Sequence, residues 1–265
     1  MAMGWSSGAL RALERWTELG VHVLLVSISL ASNCVRHDGT KIPRTATPRS
    51  AYLTVHTIAI ELAYLGCNAL ESACRCTECG PPRWLSRAAH RYDVFVLTLG
   101  AVLWIAYYGL VHAEIRASGD AEYIRFNNVI HAPTLVLPML CAAAKPHSLH
   151  RRHGAARWAA NDLTAACATY AAAYVAYVEV CAFALARRGV AAFPYAFLAK
   201  LGSASHRMAF WCFGTLAVLG LAQVARAILG RFARRRPRSV LRRHAALATV
   251  AAAVALLPWR PVVLP

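Results

Sequence analysis

An all-α bundle that crosses a membrane several times is the fold this sequence predicts, and three observations predict it. Of the 265 residues, 58% are hydrophobic. They gather into blocks of roughly 17 to 25 residues, the length a helix needs to cross about 30 Å of hydrocarbon. The basic residues behind a net charge of +17 lie mainly in the short connections between those blocks, which is how membrane topology distributes charge. That distribution argues against nucleic acid as a partner despite the overall charge. The expected architecture is a polytopic transmembrane helical bundle of six core helices with a possible seventh C-terminal span. It divides into an amphipathic lead-in over 1–18, a six-helix membrane domain over 19–230, and a basic loop with an extra apolar segment over 231–265.

In the lead-in, Trp5 and Trp16 suit the membrane interface. The run Leu19–Val35 is marginal in length for a span, and the Ala31-Ser32-Asn33 near its downstream end is a poor cleavage site, so it reads as helix one rather than a signal peptide. The stretch 36–50, with Gly39, Pro43 and Pro48, is a turn-rich connection. Helix two begins at Ala51 and reaches about Leu70. Helix three, Val94 to Ala113, is the clearest span. A polar segment, Glu114–Asn128, leads into helix four over Val129 to Ala144, which carries His131 near its start and Pro133 and Pro138 within it. Helix five covers Asp162 to Ala186, helix six Met208 to Leu229, and the Ala/Val block Ala245 to Leu257 is borderline for a seventh.

Loop charge orients the bundle. The N-terminal segment and every second loop hold most of the arginines, among them seven between 231 and 243. The positive-inside rule then puts the N-terminus in the cytosol of a multi-pass protein of the endoplasmic reticulum or plasma membrane. Nine cysteines have no spacing typical of a secreted disulfide framework. The cluster Cys74, Cys76, Cys79 resembles three ligands of a zinc site with His90 as a distant fourth, but beside a helix end on the cytosolic side it better fits S-palmitoylation or free thiols. No metal and no cofactor is expected. His147, His150 and His153 lie with Arg151 and Arg152 in a basic loop that reads as a headgroup-facing surface.

Helix two holds the chemistry. Thr54, His56, Thr57 and Glu61 make it too polar for a simple anchor, because polar groups at membrane depth face a bundle interior, a cavity or a partner. A threonine in a membrane helix ordinarily bonds its own i−4 carbonyl. Its hydroxyl becomes a nucleophile only when a base takes its proton. His131 is such a base, with an unperturbed pKa of about 6.5. Taken as starting at similar offsets on helices that enter from one side, Thr54 and His131 share a depth of roughly 5 Å. Lateral adjacency is not readable from the chain. His56 points to another face and reads as structural. Glu179 is a candidate support for His131.

Several motifs resemble those of a known family. Tyr52-Leu53-Thr54, then Glu61 and Gly66, is similar to the second helix of the family of androgen-induced and androgen-dependent TFPI-regulating proteins. Asn127-Asn128-Val129-Ile130-His131 with Leu137-Pro138, the Lys145-Pro146-His147-Ser148 loop, and Gly189 through Phe193-Pro194 to Phe197-Leu198-Ala199-Lys200-Leu201 resemble later segments of the same family. Trp104 with Tyr107 is a weaker echo. The likeness spans roughly residues 20 to 230. It departs at Ser50, Thr57, Glu61, Asn128 and Ala191, where the family has Trp, Asp or Asn, Gln, His and Trp. The resemblance implies a six-helix membrane hydrolase that cleaves fatty acid esters of hydroxy fatty acids, with Thr54 as nucleophile and His131 as general base. Its partners would be a lipid ester substrate and membrane lipids. The competing expectation is a catalytically inactive interaction protein that keeps the same fold, and a transporter is a third.

Overall fold

The computed structural model describes residues 7–34, 52–77, 79–117, 119–145, 160–189, 193, 196–234 and 240–256. These residues form a helical bundle without a strand among them. In chain order the helices are α1 (Ser7–Cys34), α2 (Leu53–Cys76), α3 (Arg83–Arg91), α4 (Asp93–Ala106), a π-helical turn (Tyr107–Val111), α5 (His112–Ala117), α6 (Ala121–His131), α7 (Pro133–Ala144), α8 (Ala160–Ala186), α9 (Ala196–Lys200), α10 (Ala204–Arg234) and α11 (Val240–Leu256). Five stretches are long and apolar enough to cross a membrane: Leu53–Cys76, Arg83–Val111, Ala121–Ala144, Ala165–Ala186 and Ala204–Arg231. Neither α1 nor α11 is among them. The first half of α1 carries Arg11, Glu14, Arg15 and Glu18, which leaves its apolar run short. α1 also runs unbroken through the boundary drawn at 18/19 from composition.

α1 and α2 form the most extensive helix pair. Val21, Leu25 and Ile28 of α1 meet Tyr64 and Leu65 of α2, Val96 of α4, and Leu137, Leu140, Cys141 and Ala144 of α7. Ala251 of α11 joins the same core, and His244 Nε2 lies 3.1 Å from the Ala144 carbonyl. The C-terminal apolar block is therefore packed on the bundle, against α1 and α7. A second core joins α4, α7, α8 and α10 through Val94, Leu97, Ala142, Cys167, Ala222, Ala225 and Leu229. On α8 and α10 the outward residues Val180, Phe183, Phe213 and Leu216 are exposed and apolar, as a face toward hydrocarbon requires. Lipid is as apolar as these side chains, so close packing and polar contacts, rather than burial alone, decide which helices touch.

Two local features position the site. The first is the start of the α6–α7 span. Asp120 caps α6, its carboxylate accepting from the Glu122 and Tyr123 amides at 3.1 Å each. The helix therefore begins at Ala121, not near Val129 as hydropathy suggests, and His131 ends α6 rather than opening a helix. Pro133 starts α7 and has no N–H to give to the Val129 carbonyl, which makes the joint at Ala132. The second feature is a close approach. Pro138 cannot donate to the Thr134 carbonyl four residues back, and α4 comes against that carbonyl at Gly100, where a Cβ would lie 2.2 Å from Thr134 O. Only glycine permits that contact.

Candidate active site

Thr54 is the second residue of α2, and it is half-buried. Tyr52 precedes the helix in an extended conformation and supplies no side-chain cap. His131 lies at the α6–α7 joint and is 7% exposed. The two side chains meet: Thr54 Oγ1 and His131 Nε2 are 3.1 Å apart. The depth match expected from the sequence had the wrong origin. Thr54 is one residue into α2, whereas His131 is ten residues into its span, about 15 Å along the axis. The pair forms because the Ala121 end of α6 reaches well past the start of α2.

The histidine's other nitrogen settles its tautomer. His131 Nδ1 lies 2.7 Å from the Asn127 carbonyl oxygen. A carbonyl only accepts, so Nδ1 carries the proton and Nε2 presents a lone pair. The Thr54 hydroxyl therefore donates to His131 Nε2, the polarity that general-base catalysis needs. The ring is also fixed in orientation. Tyr107 stacks flat against it, with centroids 3.9 Å apart and planes 5° apart. The Tyr107 hydroxyl donates to Asn128 Oδ1 at 3.3 Å. The Thr134 hydroxyl returns to the His131 carbonyl at 2.8 Å.

Tyr107 owes its position to the π-helical turn it begins. The His112 amide bonds the Tyr107 carbonyl five residues back, while the Tyr107 amide reaches both Leu103 and Trp104 carbonyls. One extra residue in that turn re-aims the side chains that follow, and such turns cluster at functional sites. Tyr108 and His112 complete the aromatic group, their rings 4.8 and 5.6 Å from Tyr107. The sequence marks this group only by Tyr107, Tyr108 and His112 being close together near a helix end. Asn127 acts through its backbone and carries no side-chain signal at all.

The remaining candidates lie elsewhere. Glu179 accepts from Trp211 Nε1 at 2.8 Å and pairs with Arg207 at 3.5 Å. Those partners are on α10, so the idea that Glu179 supports His131 does not hold. His56 sits among Tyr170, Tyr174 and Tyr177 of α8, with Nδ1 3.3 Å from the Tyr170 hydroxyl. Glu61 is buried and accepts from the Ser29 hydroxyl at 3.0 Å. His90, the distant zinc candidate, lies 2.9 Å from Glu71 instead, and no group of three metal-binding side chains occurs among the described residues. Cys74, Cys76 and Cys79 form no disulfide, and Cys79 is exposed. The loop with His147, His150 and His153, and most of the Gly189–Pro194 turn, lie outside the described residues.

The opposite end of the bundle holds a dense polar network. Lys145, 1% exposed, binds the Asp93 carboxylate and the Ala89 carbonyl. Tyr64 donates to the same carboxylate at 2.9 Å. Arg75 binds Glu18 and donates to Ser72 at 3.0 Å. This network joins α1, α2, α3, α4 and the end of α7.

No family model, curated protein or solved structure matches this chain. The geometry above is thus the ground for any functional reading.

Proposed function

We propose that this chain is an integral membrane hydrolase of lipid esters, with Thr54 as nucleophile and His131 as general base. One observation carries the reading: the Thr54 hydroxyl faces His131 Nε2 at 3.1 Å while the Asn127 carbonyl holds the proton on Nδ1. Thr54 Oγ attacks the ester carbonyl carbon as its proton passes to Nε2. The tetrahedral intermediate collapses to acyl-threonine, and the leaving alkoxide takes that proton. Water, deprotonated by the same nitrogen, then releases the fatty acid and restores the hydroxyl.

The positive charge that His131 gains is spread by the Asn127 carbonyl and by the face of Tyr107 stacked upon it. The Thr54 amide, in the uncapped first turn of α2, is the donor for the oxyanion. The motifs around Thr54 and His131 favour fatty acid esters of hydroxy fatty acids as the substrate class. Five helices fit for a membrane support a multi-pass protein. A cytosolic N-terminus, in the endoplasmic reticulum or plasma membrane, is the orientation in which α1 and α11 cross as well and the arginine-rich loops share the N-terminal side. A catalytically silent bundle is the second reading, favoured by Nδ1 resting on a neutral carbonyl rather than a carboxylate.

A fluorophosphonate probe separates the two. Labelling of the purified wild-type protein, lost in Thr54→Ala and in His131→Ala, is the expected result. A folded wild-type protein that neither labels nor turns over ester sinks the hydrolase reading.

A further inference from the structure

α2 carries a second pattern, of which the Thr54–His131 pair uses only the first member. Thr54, Thr57, Glu61, Tyr64, Asn68, Glu71 and Arg75 follow one another at alternating steps of three and four residues, so they form a single file along one face of the helix. From Thr57 to Glu71 every member is buried. The file runs for about 31 Å by helix rise, close to the thickness of a bilayer's hydrocarbon core. α1 lies antiparallel to it and presents polar groups of its own. Ser29 donates to Glu61 Oε1 at 3.0 Å, His22 Nδ1 is 2.8 Å from Ser72 Oγ, and Glu18 accepts from Ser72 at 3.3 Å and pairs with Arg75.

Buried polar atoms along this file lack partners. Thr57 Oγ1, Glu61 Oε2, Asn68 Oδ1 and Arg75 Nε have no hydrogen-bond partner among the described residues, and they are four of the six such atoms there. An unpaired buried polar atom is costly, and proteins relieve that cost with internal water. Waters bound to these atoms would stand in file along this face of α2, beside α1 at Glu61 and Arg75. An ionisable carboxyl with one free oxygen, Glu61, stands about a third of the way along the file, where such a group is expensive unless it has work to do.

We propose that the α1–α2 seam is a proton pathway across the membrane, with Glu61 carrying the proton through its apolar stretch. A proton entering from the Thr54 end binds Glu61 Oε2 while Ser29 holds Oε1. It leaves toward Asn68 and the charged groups at the far end, Glu71, His90, Glu18, Arg75, Asp93 and Lys145. Glu61 returns to its starting form with each transfer, so one proton moves and nothing else is consumed. Leu25 and Leu65, both fully buried, lie between the Ser29–Glu61 and His22–Ser72 levels. Water bridges that gap only as the two helices part, which makes the path a slow one rather than an open pore. This activity is independent of ester hydrolysis.

The test uses the purified full chain in liposomes with pyranine inside, driven by a potassium gradient and valinomycin. The wild type should acidify the interior faster than protein-free vesicles. Glu61→Gln, which keeps the shape and the Ser29 bond, should fall to the protein-free rate, and Glu61→Asp should recover part of the flux. Fluorophosphonate labelling of the same preparations keeps the two readings apart, because Glu61→Gln should label as the wild type does. Wild-type flux at the protein-free rate, or equal flux in Glu61→Gln, overturns the proposal.

Discussion

Tyr107 lies flat on His131, its ring centroid 3.9 Å from the imidazole and its plane tilted by 5°. The contact links the π-helical turn after α4 to the joint between α6 and α7. It adds a face contact to a ring already held at both nitrogens by Asn127 and Thr54. Such a stack contributes about 0.5–1.5 kcal/mol beyond area burial. Tyr107→Ala is therefore expected to lower kcat/KM for ester about two- to tenfold. Tyr107→Phe keeps the stack and loses only the Asn128 bond, so it should retain most of the activity. Equal losses in both variants would mean that the hydroxyl, not the ring face, holds the histidine.

Asn127 offers a sharper test because its two polar ends do different things. Its carbonyl accepts from His131 Nδ1 at 2.7 Å, while its side chain donates to the Tyr123 carbonyl at 2.8 Å. Asn127→Ala keeps the carbonyl in place and improves helix propensity. Ester turnover should be unchanged in steady-state kinetics. A loss as large as that of His131→Ala would show that the amide side chain takes part.

Gly100 is expected to be intolerant of any side chain. Its missing Cβ leaves the space in which the Thr134 carbonyl approaches α4, at 2.2 Å from where that atom would sit. The neighbour is backbone and cannot rotate away. Gly100→Ala should destabilise the protein by about 1–3 kcal/mol, the usual cost of overpacking, and reduce activity as the α6–α7 joint shifts. Thermal unfolding in detergent reads the first effect. A Tm equal to wild type would show that α4 and α7 can separate freely.

Lys145 and Asp93 should behave as a unit. Both are buried, and Tyr64 shares the carboxylate. Removing one partner leaves the other charge uncompensated, a loss of about 3–5 kcal/mol, while replacing both by apolar residues is often close to neutral. Asp93→Leu and Lys145→Met should each destabilise strongly, and the double variant should be more stable than either. Additive losses in the double-mutant cycle would mean that the two groups are not coupled.

How much of this was legible in the chain differs from residue to residue. The apolar blocks marked out the helical bundle and most of its long helices, because hydrophobic length is a local property that any contiguous run displays. Thr54 and His131 also stood out, since a hydroxyl and an imidazole in apolar surroundings are conspicuous where they occur. The start of α6 was missed because hydropathy outweighed a capping signal. Asp120 with Glu122 and Tyr123 was there to be read. Glu179 was assigned to the wrong neighbour because helix order does not specify which faces meet. In hydrocarbon an apolar face is as well satisfied by lipid as by another helix, so periodicity marks an inward face only weakly.

The sequence by itself determined that this protein is a bundle of membrane-length helices with a conspicuous threonine hydroxyl, Thr54, and imidazole, His131, among them. Only the tertiary structure decided that Thr54 and His131 touch, that the Asn127 carbonyl fixes the tautomer, and that Tyr107 covers the ring. Those are contacts between elements far apart in the chain. They depend on a capped helix start, a proline joint and a glycine notch acting together, and none of the three announces its partner in one dimension.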